Sequence, residues 1–149
     1  MAESREEKVW KAIKTILTTD ADLNYVGKVY EGWRETTPTS AFPAIYLEPS
    51  AATEEPYAVP IRHRINFDIK IIGEIECVDY DVQIIGDATR KGILDLANDI
   101  KSVLWKSPNL NGNCQRFSIN STTYDFRNFP FRHCEITMRI ELITTGAPR

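Results

Sequence analysis

The sequence predicts an α+β protein, built as a single, mostly antiparallel β-sheet with two helices packed on one of its faces. Two segments repeat apolar residues every three to four positions, as amphipathic helices do. Several others alternate apolar and polar residues, which gives a strand one buried and one solvated face. Because 149 residues suit one domain, we expect residues 1–149 to share one core, with 1–5 and 145–149 as flexible ends.

The first helix is predicted over Glu6–Leu17, where the apolar residues fall on one stripe. Ser4 is placed to cap it, with Glu7 three residues later, as in a capping box. The segment Tyr25–Trp33 is rich in residues that favour strands and predicts a short strand, which its two glycines weaken.

Phe42–Glu48 predicts a second strand with Pro43 and Pro49 at its ends, because proline donates no ladder hydrogen bond. Residues 50–60 show no sustained period and predict either a long arm, like that of a β-hairpin, or a loop. The clearest pattern runs from Ile61 to Ile71, where apolar and polar residues alternate. It predicts a strand of an antiparallel sheet that is covered on one side only.

A helical period follows from about Tyr80 to Trp105, and Pro108 prevents its continuation. Gly86 is a candidate for the point where an irregular lead-in gives way to the main helix, which we expect over residues 88–105. The sequence therefore predicts a second long helix directly after the strongest strand.

The last two strands are predicted to form an antiparallel hairpin. Phe117 and Ile119 begin the first of them, and the parity of the apolar positions then changes, which predicts a β-bulge near Thr122. A turn at residues 128–130 leads into the final strand, Arg132–Leu142, whose apolar and polar residues alternate throughout.

Composition excludes several classes of protein. The 18 basic and 21 acidic residues give a net charge of −3, whereas nucleic-acid-binding domains usually carry a basic excess. No apolar run approaches the ~20 residues that span a bilayer. The cysteines number three and form no C-x-x-C pair, and the odd number argues against a disulfide framework. Residues 1–7 are acidic and polar, so we expect no secretory signal and synthesis in the cytoplasm.

The residues that could carry chemistry are interpreted structurally. Cys134 lies on the apolar side of its strand and His133 on the other, so no histidine is expected to activate this thiol. His63 is interpreted as a core or edge residue. An acidic cluster lacks the pattern of an EF-hand and is interpreted as a solvated turn or as one side of a charged protein contact. Its members are Glu74, Glu76, Asp79 and Asp81. We expect no catalytic residue, no metal site and no cofactor.

The polar face of the Ile61–Ile71 strand is either solvated surface or a subunit interface, where charged pairs select the partner. The hypothesis of an interface assigns contacts to residues on this strand and on the arm before it. They are Arg62, Arg64, Asp68 and Lys70 on the strand, and Glu54, Glu55 and Tyr57 on the arm.

The order of elements from Glu6 to Thr144 resembles that of the tail terminator proteins of long-tailed bacteriophages, also called tail completion or minor tail protein U-like proteins. The likeness is carried by the first helix, the proline-rich arm, the second helix and three strand segments. These segments are Phe42–Leu47, Arg64–Ile69 and Glu135–Ile140.

The resemblance implies a structural virion protein that forms a ring, typically a hexamer, on the end of the tail tube. Such a ring ends tube polymerisation and provides the surface for head attachment. Its partners would be further copies of itself, the tube protein and a head-side connector or neck protein, with DNA only in transit through the lumen. The protein would be assembled in the host cytoplasm and reside in the tail-neck region of the virion.

The sequence leaves alternatives open. A stopper or adaptor ring of the head-tail connector shares this size and setting, and a tube protein is a further possibility. A small cytoplasmic enzyme or ligand-binding α+β domain would need a concave pocket with converging polar groups.

Overall fold

A computed structural model describes residues 4–58, 62–126 and 129–145. It contains two α-helices and five β-strands in the predicted order. They are α1 (Arg5–Thr19), β1 (Lys28–Glu31), β2 (Ala44–Ala58), β3 (Arg62–Glu76), α2 (Ile93–Trp105), β4 (Arg116–Phe126) and β5 (Phe131–Thr145). Of the ends that were predicted to be flexible, residues 1–3 and 146–149 lie outside the described ranges, whereas Arg5 begins α1.

The five strands form one sheet in the order β1-β2-β3-β5-β4. Three of its four strand pairs are antiparallel, and β1 runs parallel to β2. Both helices pack on the same face, where they share one hydrophobic core with the apolar sides of the strands. The predicted α+β class, with a mostly antiparallel sheet and two helices on one face, is confirmed.

The centre of the core includes the contact of α2 with β3 and β5. Ile69, Ile71, Leu96 and Ile136 are all fully buried there. A Cβ atom at Gly73 would lie 2.9 Å from Leu96 Cδ2, so the absent side chain lets α2 approach the sheet closely. The first helix joins this core through Val9, Ile13 and Leu17, and the Ser4 hydroxyl caps it by accepting the Glu7 N–H at 3.2 Å, as predicted.

The arm is a β-hairpin up to the limit of the described residues. Residues 50–58 continue β2 and pair with β3 in antiparallel register, so of the two predicted alternatives, arm or loop, the structure has the hairpin arm. The prediction that Pro49 ends a strand is wrong: it lies inside β2, where the register shifts between Pro49 and Ala51. A proline is tolerated there because β1 pairs only with residues 44–47 of β2, and no other described strand pairs with the outer side of β2.

The helix α2 begins at Ile93, later than its predicted start. The preceding segment, residues 77–92, forms a loop that local hydrogen bonds hold in place. The Asp95 carboxylate accepts the N–H groups of Gly86 and Gly92 at 2.7 and 3.0 Å, and the Asp87 side chain accepts those of Thr89 and Arg90. Such side-chain acceptors compete with helical hydrogen bonds, which is why the apolar spacing before residue 93 does not produce a helix.

The last two strands form the predicted hairpin, although residues 127 and 128 of its turn lie outside the described ranges. The register of β4 shifts between Ile119 and Ser121. The predicted bulge is therefore confirmed, with Asn120 as the extra residue, two positions before Thr122.

Candidate interaction surface on the open face of the sheet

The sheet face opposite the two helices, called the open face below, carries most of the residues predicted to form an interface. In β3, Arg64, Asp68 and Lys70 are partly exposed on this face, and they alternate with isoleucine and phenylalanine side chains buried against the helices. The strict alternation of the strand produces this division. The predicted polar face is confirmed for these three residues.

Four charged side chains form a line across four strands of the open face, called the charge row below. Arg64 Nη1 lies 3.3 Å from Glu55 Oε1 in β2, and Arg64 Nε lies 3.9 Å from Glu141 Oε2 in β5. Arg116 Nη2 in β4 is 3.3 Å from the same Glu141 oxygen. Read from β2 to β4, the charges are therefore negative, positive, negative and positive.

Two further pairs link β3 to β5 on the open face. Asp68 lies directly opposite Arg139, which donates two hydrogen bonds to it, of 2.8 and 3.0 Å. Lys70 Nζ lies 3.3 Å from Glu135 Oε1. Each of the predicted residues Arg64, Asp68 and Lys70 thus has an oppositely charged partner within its own chain. Exposed pairs of this kind contribute about 0.2–1 kcal/mol each.

The open face is covered at one end by the segment that follows β1. The Trp33 ring lies 4.6 Å from the Tyr46 ring, and the Thr37 hydroxyl lies 2.6 Å from the Tyr46 hydroxyl. Tyr46 is fully buried as a result. This covered end was not predicted, because no periodicity marks a loop that folds over a sheet.

The covered end also holds a buried carboxylate and a histidine. His133 Nδ1 lies 3.9 Å from Glu74 Oε2, His133 Nε2 lies 3.8 Å from Asp125 Oδ2, and the Trp33 ring meets the His133 ring edge-on. Glu74 is only 4% exposed. The interpretation of the acidic cluster as a solvated turn is wrong for Glu74, since Glu74 and Glu76 belong to β3 and Asp79 and Asp81 to the next loop.

Of the remaining predicted interface residues, the structure describes the side chain of Glu54 only. Glu54 pairs with Ile65, so it lies on the helix side of the sheet, away from Glu55. The side chains of Tyr57 and Arg62 lie outside the described part of the structure, as does that of His63, which was interpreted as a core or edge residue.

Sequence reasoning missed the partners that complete these pairs. They are Arg116, Glu135, Arg139 and Glu141. The alternation of the last strand places three of them on its polar side, but only the register between strands shows which charges meet. That register depends on contacts distant in the sequence.

The cysteines have the character of packed side chains. Cys134 is fully buried, as predicted, and burial raises the pKa of its thiol to about 11. Burial likewise raises the pKa of Cys114 to about 11. Within the described ranges, no three His, Cys, Asp or Glu side chains are grouped so that they could hold a metal ion. No helix in those ranges is long and apolar enough to cross a membrane.

Comparison with known proteins gives a match at the level of the fold. No protein-family model and no curated protein matches the sequence. A solved structure of the virion of the native gene transfer agent particle contains a chain with a similar fold, with a TM-score of 0.54 and 8% sequence identity. The match covers 96% of this chain and 100% of that chain. The two chains therefore share their architecture from end to end.

Proposed function

We propose that this protein is a structural component of a phage-like particle. The observation that carries the proposal is the fold match to a chain of a gene transfer agent virion, which extends over 96% of this chain and all of that one. A match that extends over nearly all of both chains supports a similar role more than a match to one part of a larger protein would.

Within such a particle, we assign this chain the role of a tail terminator. Copies of it form a ring, with six as the expected number, that caps the tail tube, ends tube polymerisation and provides the surface for head attachment. Its partners are then further copies of itself, the tube protein and a head-side connector or neck protein. Its place is the tail-neck region of the virion, after assembly in the host cytoplasm.

The charge distribution supports a role in a conduit for DNA. The net charge is −3, and the arginines of the open face that the structure describes are paired with carboxylates. A lumen lined with unpaired basic groups would bind phosphates and retain the passing duplex. The role is structural and involves no catalysis and no cofactor.

Electron microscopy of negatively stained samples tests this proposal. The purified protein should form rings, and after mixing with tail tubes these rings should sit on one end of each tube and prevent further growth when tube subunits are added. Tubes that continue to grow beyond a bound ring would contradict the terminator role.

The same samples separate the other candidate roles. A stopper or adaptor ring would bind the head connector and leave tube ends free. A small ligand-binding domain would remain a monomer at all concentrations, and mass spectrometry under native conditions would show a bound metabolite.

A further inference from the structure

We propose that two copies of this chain join edge to edge, with the outer half of β2 in one copy pairing antiparallel with β4 of the next. The inference deepens the proposed ring and rests on it for the number of copies. The proposed pairing gives a partner to two strand edges that have no neighbouring strand within the described chain.

The first of these edges is β4. It is an edge strand of 11 residues without a proline, and neither a helix nor a loop of the described chain pairs with its outer side. It contains β-branched and aromatic residues, Ile119, Thr122, Thr123 and Tyr124 among them. Natural proteins usually shield so long an edge, because unpaired N–H and C=O groups bind other strands.

The second edge is the outer half of β2. β1 covers only residues 44–47 of this strand, so the backbone of residues 48–58 has β3 on one side and none of the described strands on the other. Pro49 and Pro56 bound a stretch of six residues, Ser50–Glu55, that has no proline and begins with small side chains. Since proline interrupts ladder pairing, this stretch defines where a partner strand can bind.

The charge row indicates that these two edges fit each other. Its alternating charges end with Arg116 at the β4 edge and with Glu55 at the β2 edge. The Arg116 side chain is 76% exposed and the Glu55 side chain 46% exposed, so both can accept a further partner. If Arg116 of one copy meets Glu55 of the next, the alternation continues across the junction.

Strand direction and side-chain parity agree with this pairing. In an antiparallel pair the first residue of one strand lies beside the last of the other, which places Arg116 at the start of β4 beside Glu55 at the end of the free stretch. Ser118 then lies opposite Thr53, and both belong to the open face, as Arg116 and Glu55 do. The helix sides of the two sheets also coincide, so one continuous sheet forms without rotating a strand.

The contact is heterologous, because two different edges meet. Such contacts produce rings when the rotation between copies closes and filaments when it does not.

Charge reversal tests the junction. R116E and E55R should each weaken self-association about tenfold or more, as measured by sedimentation or mass photometry, because each puts like charges at every junction. An equal mixture of the two variants should recover assembly, since every junction between unlike copies then joins opposite charges. In R116E the new glutamate still lies beside Glu141 of its own chain, and in E55R the new arginine still lies beside Arg64. Mixing the variants does not change these contacts, so effects within one chain cannot explain the recovery.

A matched control for R116E is K8E, which also replaces a positive by a negative charge but at an exposed position of α1. It should leave self-association unchanged. Variants that assemble like the wild type, or a mixture that remains as weak as its components, would overturn the edge pairing.

Cysteine cross-linking tests the register. S118C and T53C in one chain, with Cys77 and Cys114 replaced by serine, should form a ladder of disulfide-linked copies on mild oxidation. Within one chain the two positions are three strand spacings apart, about 14 Å, too far for a disulfide. S118C with A52C is the control, because residue 52 points to the helix side and should not cross-link. Equal cross-linking of both pairs would overturn the proposed register.

The results distinguish this inference from the proposed function. Rings that cap tubes but never form the 53–118 disulfide would overturn the edge pairing and leave the terminator role standing. Edge-paired assemblies that ignore tail tubes would overturn the terminator role and support the edge pairing. A protein that remains monomeric at all concentrations would overturn both.

Discussion

Individual side chains on the open face are organised as pairs across strands. Asp68 illustrates this, since both of its carboxylate oxygens accept hydrogen bonds from Arg139, which lies directly opposite. Lys70 and Glu135 form a second pair, and the charge row adds further contacts. A face that looks simply hydrophilic in the sequence is therefore a set of specific contacts, and each can be measured.

A double-mutant cycle on Asp68 and Arg139 should give a favourable coupling free energy. The geometry is bidentate but the Arg139 side chain is 48% exposed, which limits the value. The measurement is urea unfolding of the two alanine variants and their combination. Arg139 and Lys8 provide the control cycle, which should be additive because Lys8 lies on α1. A coupling indistinguishable from that control would contradict the importance of the pair.

The raised pKa of Cys134 predicts that the folded protein loses stability at alkaline pH. Burial raises the pKa of this thiol in the folded protein to about 11, above its value in the unfolded chain, so the neutral thiol is favoured by folding. The stabilisation from the neutral thiol is fully present below the pKa of about 8.5 that the thiol has in the unfolded chain. It is lost as the pH rises through about 11. Between these limits the wild type should lose about 3 kcal/mol more than C134S, since one pKa unit corresponds to about 1.4 kcal/mol.

Urea unfolding at a series of pH values measures this difference. Cys114 and Tyr25, whose pKa values are also raised, are present in both proteins, so the comparison isolates Cys134. Parallel pH profiles for the two proteins would show that the thiol has the same pKa in the folded and the unfolded protein, which would contradict the prediction.

The elements differ in how far the sequence predicts them. β3 follows from its alternation alone, because one strand face meets the helices and the other meets solvent. The outer half of β2 cannot be predicted in this way, because Ser50–Glu55 has no apolar period and forms a strand only through its pairing with β3. The start of α2 was missed because the Asp95 and Asp87 side chains stabilise a loop where the apolar spacing favours a helix.

We expect Asp95 to stabilise the connection between the loop of residues 77–92 and α2. Its carboxylate accepts two backbone N–H groups, those of Gly86 and Gly92, so D95A leaves both without that partner. We expect a loss of about 1–2 kcal/mol in the free energy of unfolding and faster proteolysis within residues 77–92. D81A, an exposed aspartate of the same loop, should change neither. Equal sensitivity of the two variants would contradict this role.

At the scale of the whole molecule, the sheet has three surfaces of different character. The helix side is the core, one end of the open face lies under Trp33, and the rest of the open face is bare and charged. The sequence predicted the first and the last. It could not predict the covered end, or the partners on β4 and β5, because both depend on how distant segments meet.

Self-association of this protein should depend on salt concentration. Raising the ionic strength from about 0.1 M to about 1 M shortens the Debye length from about 10 to about 3 Å. Self-association of the wild type should weaken, because the proposed Arg116–Glu55 contact between copies is exposed. R116E should respond in the opposite direction, since salt screens a repulsion there. Light scattering across the salt series gives both trends, and a common trend for the two proteins would contradict the electrostatic junction.

The pairing of charges across strands also constrains how this surface can diverge. A mutation that inverts one member of the Asp68–Arg139 pair leaves two like charges in contact, whereas a second mutation that inverts the other restores the attraction. Descendants of a common ancestor should therefore change these positions together, and the pattern of paired sign changes among them would record the strand register without any structure being determined.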